Sequence, residues 1–115
     1  MKLFLTGVSH KTAPVEVREC LAFPEESLPK ALKDLQACPG VTEAVILSTC
    51  NRVEITITTE DGVDPQATID TFLTDHKAIS PDTLVAHVYR HEGREAIHHL
   101  FRSEGGAPGL LIKIP

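Results

Sequence analysis

The chain has 115 residues, of which 42% are hydrophobic and 23% are charged. This length and composition are typical of one globular domain and exclude a globally disordered chain. The net charge of −5 argues against non-specific binding of nucleic acid through a basic face.

Three cysteines, Cys20, Cys38 and Cys50, are an odd number without regular spacing. This favours a reduced cytoplasmic protein over a disulfide framework. Cys20 and Cys38 fall in helical patterns, and we interpret both as structural. The N-terminal apolar run is too short for a signal peptide, and no other run approaches the length of a membrane span. We therefore expect a cytoplasmic protein without a membrane segment.

Hydrophobic periodicity and turn signals predict a series of short helices and strands. In chain order they are strand 2–9, helix 14–22, helix 23–38, strand 42–49, strand 52–60, helix 65–79, a helical turn over 80–84 capped by Ser80, strand 85–91 and helix 92–102. Pro14 falls at an early helix position where its missing N–H costs little. Pro29 lies within the predicted helix 23–38 and is tolerable only near a first turn. The last helix is expected to carry Ile97, Leu100 and Phe101 on one face.

The order β-α-β-β-α-β-α indicates an α+β fold. We expect a ferredoxin-like, split βαβ sandwich with a mostly antiparallel sheet and helices on one face, formed by residues 1–102. The composition changes in residues 103–115, where Gly, Ala and Pro are followed by an apolar pentamer with one lysine. This stretch is expected to be a divergent tail that is flexible or non-native.

The segment "ILSTCNRVEI", residues 46–55, is a strand pattern interrupted at Cys50. A free cysteine is commonly a buried, inert thiol. Here the interruption places the thiol at a strand end, where functional sites collect. Arg52 can favour a thiolate or bind a carboxylate through paired hydrogen bonds, and Thr49 and Asn51 can orient a carbonyl or an amine. We therefore expect Cys50 to be an accessible nucleophile.

Three separated blocks, "GVSHKTAPVEVRE" (7–19), "LSTCNRVEI" (47–55) and "HHLFR" (98–102), resemble the N-terminal catalytic domain of glutamyl-tRNA reductases. They occur in the family's order and at family-like intervals, and the resemblance covers residues 1–102. It implies an oxidoreductase of tetrapyrrole (porphyrin) biosynthesis that reduces glutamyl-tRNA to glutamate 1-semialdehyde with NADPH.

The resemblance also implies a mechanism. The Cys50 thiolate would attack the ester of glutamyl-tRNA and release the tRNA, and a hydride from NADPH would reduce the resulting enzyme thioester to the aldehyde. Thr49, Asn51 and Arg52 would frame the glutamyl group, with Arg52 on a substrate carboxylate. His99 matches the family's functional histidine and would transfer a proton or position the ester. Without the resemblance, a helix histidine packed against the sheet is the commoner interpretation of His99.

Other polar residues are given structural interpretations. Glu54 follows Arg52 on the same strand face by period two, so the two side chains can orient each other. The six histidines do not indicate a metal site, because His98 and His99 diverge by about 100° on a helix and no metal-binding motif occurs. We expect no bound metal.

The complete reductases carry an NADPH-binding domain and a helical C-terminal dimerisation domain, which this chain is expected to lack. The glycines at 105, 106 and 109 do not form a dinucleotide fingerprint. We expect a fragment that receives the glutamyl group from glutamyl-tRNA without reducing it, and a homodimer for the full-length enzyme.

The alternative is a non-catalytic ferredoxin-like module that binds RNA or regulates another protein. Exposed aromatic residues for base stacking would favour it. Tyr89 and most of the four phenylalanines occupy positions typical of a core, which weakens this alternative.

Overall fold

The structure is a computed structural model that describes residues 1–99 and the backbone of residues 110–114. Its elements are strand β1 (Lys2–Ser9), helix α1 (Val15–Leu21), a 3-10 turn (Glu25–Ser27), helix α2 (Leu28–Gln36), strands β2 (Val41–Ser48) and β3 (Arg52–Thr59), helices α3 (Pro65–His76) and α4 (Pro81–His87), and strands β4 (Tyr89–Glu92) and β5 (Leu110–Ile114). Residues 94–99 are also helical. From β1 to α3 the predicted elements are confirmed to within a few residues at each end.

The five strands form one sheet in the order β4-β1-β3-β2-β5. Every neighbouring pair in it is antiparallel. The prediction of an α+β fold with an antiparallel sheet is therefore confirmed. The central strands β1 and β3 pair along their whole length, from Lys2 opposite Thr59 to Ser9 opposite Arg52.

One face of the sheet carries the main hydrophobic core. Because side chains alternate along a strand, Val53, Ile55 and Ile57 of β3 all point to this face. They pack with buried residues of the helices, which include Leu21, Leu28, Leu32, Leu35, Ile69, Phe72 and Leu84. Helices α1 to α4 therefore cover this face, as predicted.

The opposite face is covered in part by the helical segment 94–99. Glu54 alternates with Val53 and Ile55, so its side chain points away from the main core, and His99 of the helical segment contacts it there. The prediction that all helices share one face is therefore wrong for this segment. Ile97 is 46% exposed, and Leu100 and Phe101, which are predicted to share its face, lie outside the described residues.

The predicted strand over 85–91 is wrong in its first half. Helix α4 continues to His87, and the strand begins only at Tyr89. The Ser80 hydroxyl accepts a hydrogen bond from the backbone N–H of Thr83 at 3.2 Å, which confirms the predicted cap. Once this helix has started, burial of Leu84 stabilises it against the strand propensity of the valines that follow.

Residues 110–114, which fall in the predicted flexible or non-native tail, form strand β5. Its residues pair with β2, for example Ile112 with Ile46. A mostly apolar segment with two isoleucines suits this position because β2 would otherwise present an unpaired edge. The rest of the predicted tail lies outside the described residues, and the domain boundary at residue 102 stays a prediction.

Within the described ranges, none of the helices has both the length and the apolar character that a membrane crossing requires.

Candidate functional site

Cys50 lies in the turn that joins β2 to β3, and its side chain is exposed. Thr49 organises this turn. Its backbone N–H donates to the carbonyl of Arg52 at 2.8 Å, and its Oγ1 accepts from the backbone N–H groups of Asn51 at 3.2 Å and Arg52 at 3.1 Å. A threonine hydroxyl that accepts from backbone N–H groups two and three residues ahead stabilises a turn through its side chain. The turn therefore presents the thiol at a defined place.

Two further hydrogen bonds anchor the turn from the preceding part of the chain. The backbone N–H of His10 donates to the carbonyl of Asn51 at 3.0 Å. Arg18, on α1, donates from Nη1 to the carbonyl of Cys50 at 2.9 Å and from Nε to that of Ala13 at 3.2 Å. A permanent positive charge thus lies beside the Cys50 backbone. Sequence analysis missed Arg18, although it lies in the first block of the resemblance.

The other two cysteines are in different surroundings. Both are half-buried, and each thiol donates to a backbone carbonyl at 3.5 Å, Cys20 to Ala78 and Cys38 to Asp34. Burial raises the pKa of the Cys38 thiol, and the carboxylates of Asp34 and Asp75 raise it further. These surroundings agree with the structural interpretation of Cys20 and Cys38.

A buried carboxylate lies directly after the turn, on the sheet face opposite the main core. The side chain of Glu54 has no exposed surface. Its Oε2 accepts a hydrogen bond from the Tyr89 hydroxyl and contacts Nε2 of His99. Nη1 of Arg52 lies 4.0 Å from the same oxygen, which confirms the expected Arg52–Glu54 contact.

Gly7 makes room for this cluster. In the sheet it lies opposite Glu54 on one side and opposite Tyr89 on the other. A Cβ at position 7 would lie 2.7 Å from Cγ of Glu54 and 3.0 Å from the ring Cζ of Tyr89. Side chains from β3 and β4 can therefore meet across β1 only because the residue between them has no side chain.

Aromatic rings pack around His99. The ring centroid of His91 lies 4.6 Å from that of His99, and the Tyr89 centroid lies at 5.2 Å. Burial raises the pKa of the Tyr89 hydroxyl well above its ordinary range, and the hydrogen bond to Glu54 adds to this. A cavity of about 480 Å³, lined by His91, Arg94, Glu95 and His98, opens beside this packing. His98 is exposed, as predicted, while His99 turns to the sheet.

The predicted site residues form two adjacent groups. Thr49, Cys50 and Asn51 form the turn, whereas His99 belongs to the carboxylate cluster. Arg52 joins the two groups, because its backbone closes the turn and its side chain faces Glu54.

Sequence reasoning missed two central members of the cluster. Glu54 was interpreted as structural, and Tyr89 as a core residue. The available signal for Glu54 was an acidic residue within an otherwise apolar and β-branched strand.

The described residues contain neither a group of metal ligands nor a Rossmann unit. In the part of the chain that the structure describes, no three His, Cys, Asp or Glu side chains are placed to hold a metal ion. A Rossmann-type dinucleotide site is built on a parallel β-α-β unit with a glycine-rich turn, and all neighbouring strands described here are antiparallel. The glycines at 105, 106 and 109 lie outside the described residues.

The aromatic residues that the structure describes do not form a base-stacking platform. Phe4, Phe23 and Phe72 are buried, and Tyr89 is half-buried with its hydroxyl on Glu54. Phe101 is outside the described residues. Because single-stranded RNA is bound largely by stacking on exposed rings, the described part of the sheet does not favour the RNA-binding alternative.

Comparisons with known proteins agree on one family. The family described as "Glutamyl-tRNAGlu reductase, N-terminal domain" matches residues 6–107. Glutamyl-tRNA reductase of Solibacter usitatus is 65% identical over 115 residues, which are 100% of this chain and 27% of that protein. That of Geobacter metallireducens is 43% identical over 115 residues and 26% of its length. The chain thus spans about a quarter of the length of these curated relatives.

A solved structure gives the same result. Glutamyl-tRNA reductase from Methanopyrus kandleri superposes with a TM-score of 0.63 and 27% sequence identity, over 90% of this chain and 22% of that one. The matched family, the relatives and the solved structure together cover the turn with Cys50 and the strands that carry the carboxylate cluster. The chain therefore belongs to the glutamyl-tRNA reductase N-terminal domain family.

Proposed function

We propose that this chain is the acyl-accepting part of a glutamyl-tRNA reductase of tetrapyrrole biosynthesis. The Cys50 thiolate attacks the ester carbonyl of glutamyl-tRNA. A carbon–sulfur bond forms, the ester carbon–oxygen bond breaks, and the ribose oxygen of the released tRNA takes up a proton. The observation that carries this proposal is the exposed Cys50 thiol in a turn held by hydrogen bonds from Thr49, His10 and Arg18.

Arg52 and His99 have distinct proposed roles. Arg52 binds a carboxylate of the glutamyl group, and it shares its charge between that group and Glu54. His99 transfers a proton or positions the ester. Asn51 is exposed beside the thiol and contacts the glutamyl group, while Thr49 acts chiefly by holding the turn.

The wider setting is part of the proposal. The strand order β4-β1-β3-β2, with helices between β1 and β2 and between β3 and β4, supports the ferredoxin-like, split βαβ assignment over residues 1–102. The thioester is reduced in the full-length enzyme, where NADPH is held by residues outside those described here. That enzyme is a cytoplasmic homodimer that pairs through its C-terminal domain.

Formation of the thioester can be tested by mass spectrometry. The 115-residue chain, incubated with glutamyl-tRNA and quenched in acid, is expected to carry one glutamyl adduct on the peptide that contains Cys50. Neutral hydroxylamine should remove it, because a thioester is labile to this nucleophile. Cys50→Ser should carry no hydroxylamine-labile adduct, and Cys38→Ser, the matched control, should acquire it as the unsubstituted chain does. A Cys50 that stays unmodified at every time point while glutamyl-tRNA is still present would contradict the proposal.

A further inference from the structure

Glu54 is a fully buried carboxyl group whose described contacts all fall on one oxygen. Oε2 contacts the Tyr89 hydroxyl and His99 Nε2, and Nη1 of Arg52 is 4.0 Å away. Within residues 1–99, Oε1 is buried and has no hydrogen-bond partner. Burying a carboxylate costs free energy unless it is paired. The partners of Glu54 lie at Oε2, so the hydrogen bonds of this oxygen determine how Glu54 interacts with His99.

Tyr89 is a fixed donor to that oxygen. The pKa of its hydroxyl is raised by burial first and by Glu54 second, so the phenol keeps its proton over the whole working range of pH. Its only hydrogen therefore points to Oε2, which must act as an acceptor.

The same oxygen determines which nitrogen of His99 carries hydrogen. An ionised carboxylate only accepts hydrogen bonds, so the ring nitrogen in contact with it must be an N–H donor. A proton on Oε1 would still leave Oε2 as an acceptor. The ion pair with Nη1 of Arg52, which lies 4.0 Å from Oε2, requires an unprotonated oxygen there.

We propose that Glu54 is a positioning residue that fixes neutral His99 as its Nε2–H tautomer. Nδ1 then carries the lone pair and is the nitrogen that can accept a proton from a reacting group. Tyr89 supports this arrangement by holding Oε2 in place. Gly7 is required for it because a Cβ there would displace both Glu54 and Tyr89.

The other titratable groups near His99 are compatible with the Nε2–H tautomer. On β4, the ring of His91 stacks on His99, and Nδ1 of His91 faces Glu95 of the helical segment at 3.8 Å. On β3, Arg52 is the charged neighbour on the far side of Glu54. Among the described residues, Glu54 is thus the carboxylate in direct contact with the His99 ring.

The same chain contains a histidine with the opposite pattern. Nδ1 of His87 contacts the backbone carbonyl of Thr83 at 2.8 Å. A carbonyl oxygen can only accept, so neutral His87 must be the Nδ1–H tautomer. His87 therefore provides an internal reference for His99.

Nitrogen NMR of the histidine side chains tests the inference on the unsubstituted 115-residue chain. At a pH where both rings are neutral, His99 should show a protonated Nε2 and an unprotonated Nδ1, and His87 the reverse. Finding His99 as the Nδ1–H tautomer, or as a mixture of both tautomers, would overturn the inference. This measurement involves no substrate.

Two substitutions separate the contributions of the carboxylate and the phenol. Glu54→Leu removes the acceptor and keeps a side chain of similar size at the buried position, so His99 should lose its preference for the Nε2–H tautomer while His87 stays unchanged. Tyr89→Phe keeps the carboxylate and should leave the Nε2–H tautomer dominant. An unchanged His99 in a folded Glu54→Leu chain would overturn the inference. If Glu54→Leu does not fold, the tautomer in the unsubstituted and Tyr89→Phe chains decides.

The consequence for chemistry rests on the proposed function. Glu54→Leu should slow glutamyl-adduct formation at Cys50 roughly 10- to 100-fold, by analogy with the loss of groups that orient metal-binding histidines, and it should alter the pH profile of that step. The proposed function and the role of Glu54 can be contradicted independently of each other. An absent adduct with the expected tautomer contradicts only the proposed function, and an unexpected tautomer with a normal adduct contradicts only the role of Glu54.

Discussion

The three cysteines differ in access and in charge environment. Cys50 is exposed in a turn beside Arg18, whereas Cys38 is half-buried near Asp34 and Asp75. Alkylation requires the thiolate, and each unit by which a pKa is raised lowers the thiolate fraction about tenfold when the pH is below the pKa. Reactivity should therefore follow these surroundings.

We expect iodoacetamide near pH 7 to modify Cys50 before Cys20 and Cys38. Because the pKa of the Cys38 thiol is raised, its labelling rate should approach that of Cys50 only at a pH above the ordinary range of a thiol. Peptide mass spectrometry after timed quenching measures the three rates. In Cys50→Ser the fast phase should disappear while the slow ones remain. Equal rates at all three sites would contradict the assignment of Cys50 as the accessible thiol.

At the scale of elements, β4 is a four-residue edge strand held by side chains as well as by its ladder. Arg90 donates from Nη1 and Nη2 to the two carboxylate oxygens of Asp70 on α3, at 2.9 and 3.0 Å. Nη1 also donates to Oγ1 of Thr6 on β1 at 3.1 Å. Because β4 carries Tyr89 and His91, these contacts also position the cluster around His99.

Arg90→Lys should destabilise the fold by about 1–2 kcal/mol, because lysine cannot form the paired hydrogen bonds to Asp70. Urea denaturation of both chains measures the difference. Lys30→Ala is the matched control, since it removes a solvent-exposed ion pair with Asp34 within α2, and its midpoint should stay close to that of the unsubstituted chain. A midpoint for Arg90→Lys as high as that of the control would show that the paired contact adds no stability.

At the scale of the whole molecule, the described residues form one antiparallel sheet with helices on one face and the segment 94–99 on the other. This architecture exposes the Cys50 thiol and brings Glu54, Tyr89 and His99 together. It does not supply the parallel β-α-β unit of a dinucleotide site. No described residue is therefore assigned a part in the proposed reduction step.

We expect this chain, given glutamyl-tRNA and NADPH, to release no glutamate 1-semialdehyde. The glutamyl group should stay on Cys50 or be lost slowly to water. Trapping of free aldehyde with a hydrazine reagent, followed by mass spectrometry, measures the product, and the full-length reductase from Solibacter usitatus serves as the positive control. Aldehyde released by the 115-residue chain would show that it holds a complete reductase site.

The sequence by itself determined the regular elements from β1 to α3 and the position of Cys50, because both depend on local patterns. Alternating apolar residues specify strands, apolar stripes specify helices, and the interruption of a strand pattern marks a turn. Local patterns were insufficient for residues 85–87, which could have continued helix α4 or started the next strand. There, burial of Leu84 favoured the helix.

Only the tertiary structure decided what surrounds His99. Glu54 and Tyr89 are 35 positions apart, and they meet because β1 lies between their strands with a glycine at the crossing point. Strand order and register are set by packing over the whole sheet, so no local pattern could place these two residues together. The physical reason is that a buried carboxylate needs donors from several elements, and only the complete fold brings those donors to one oxygen.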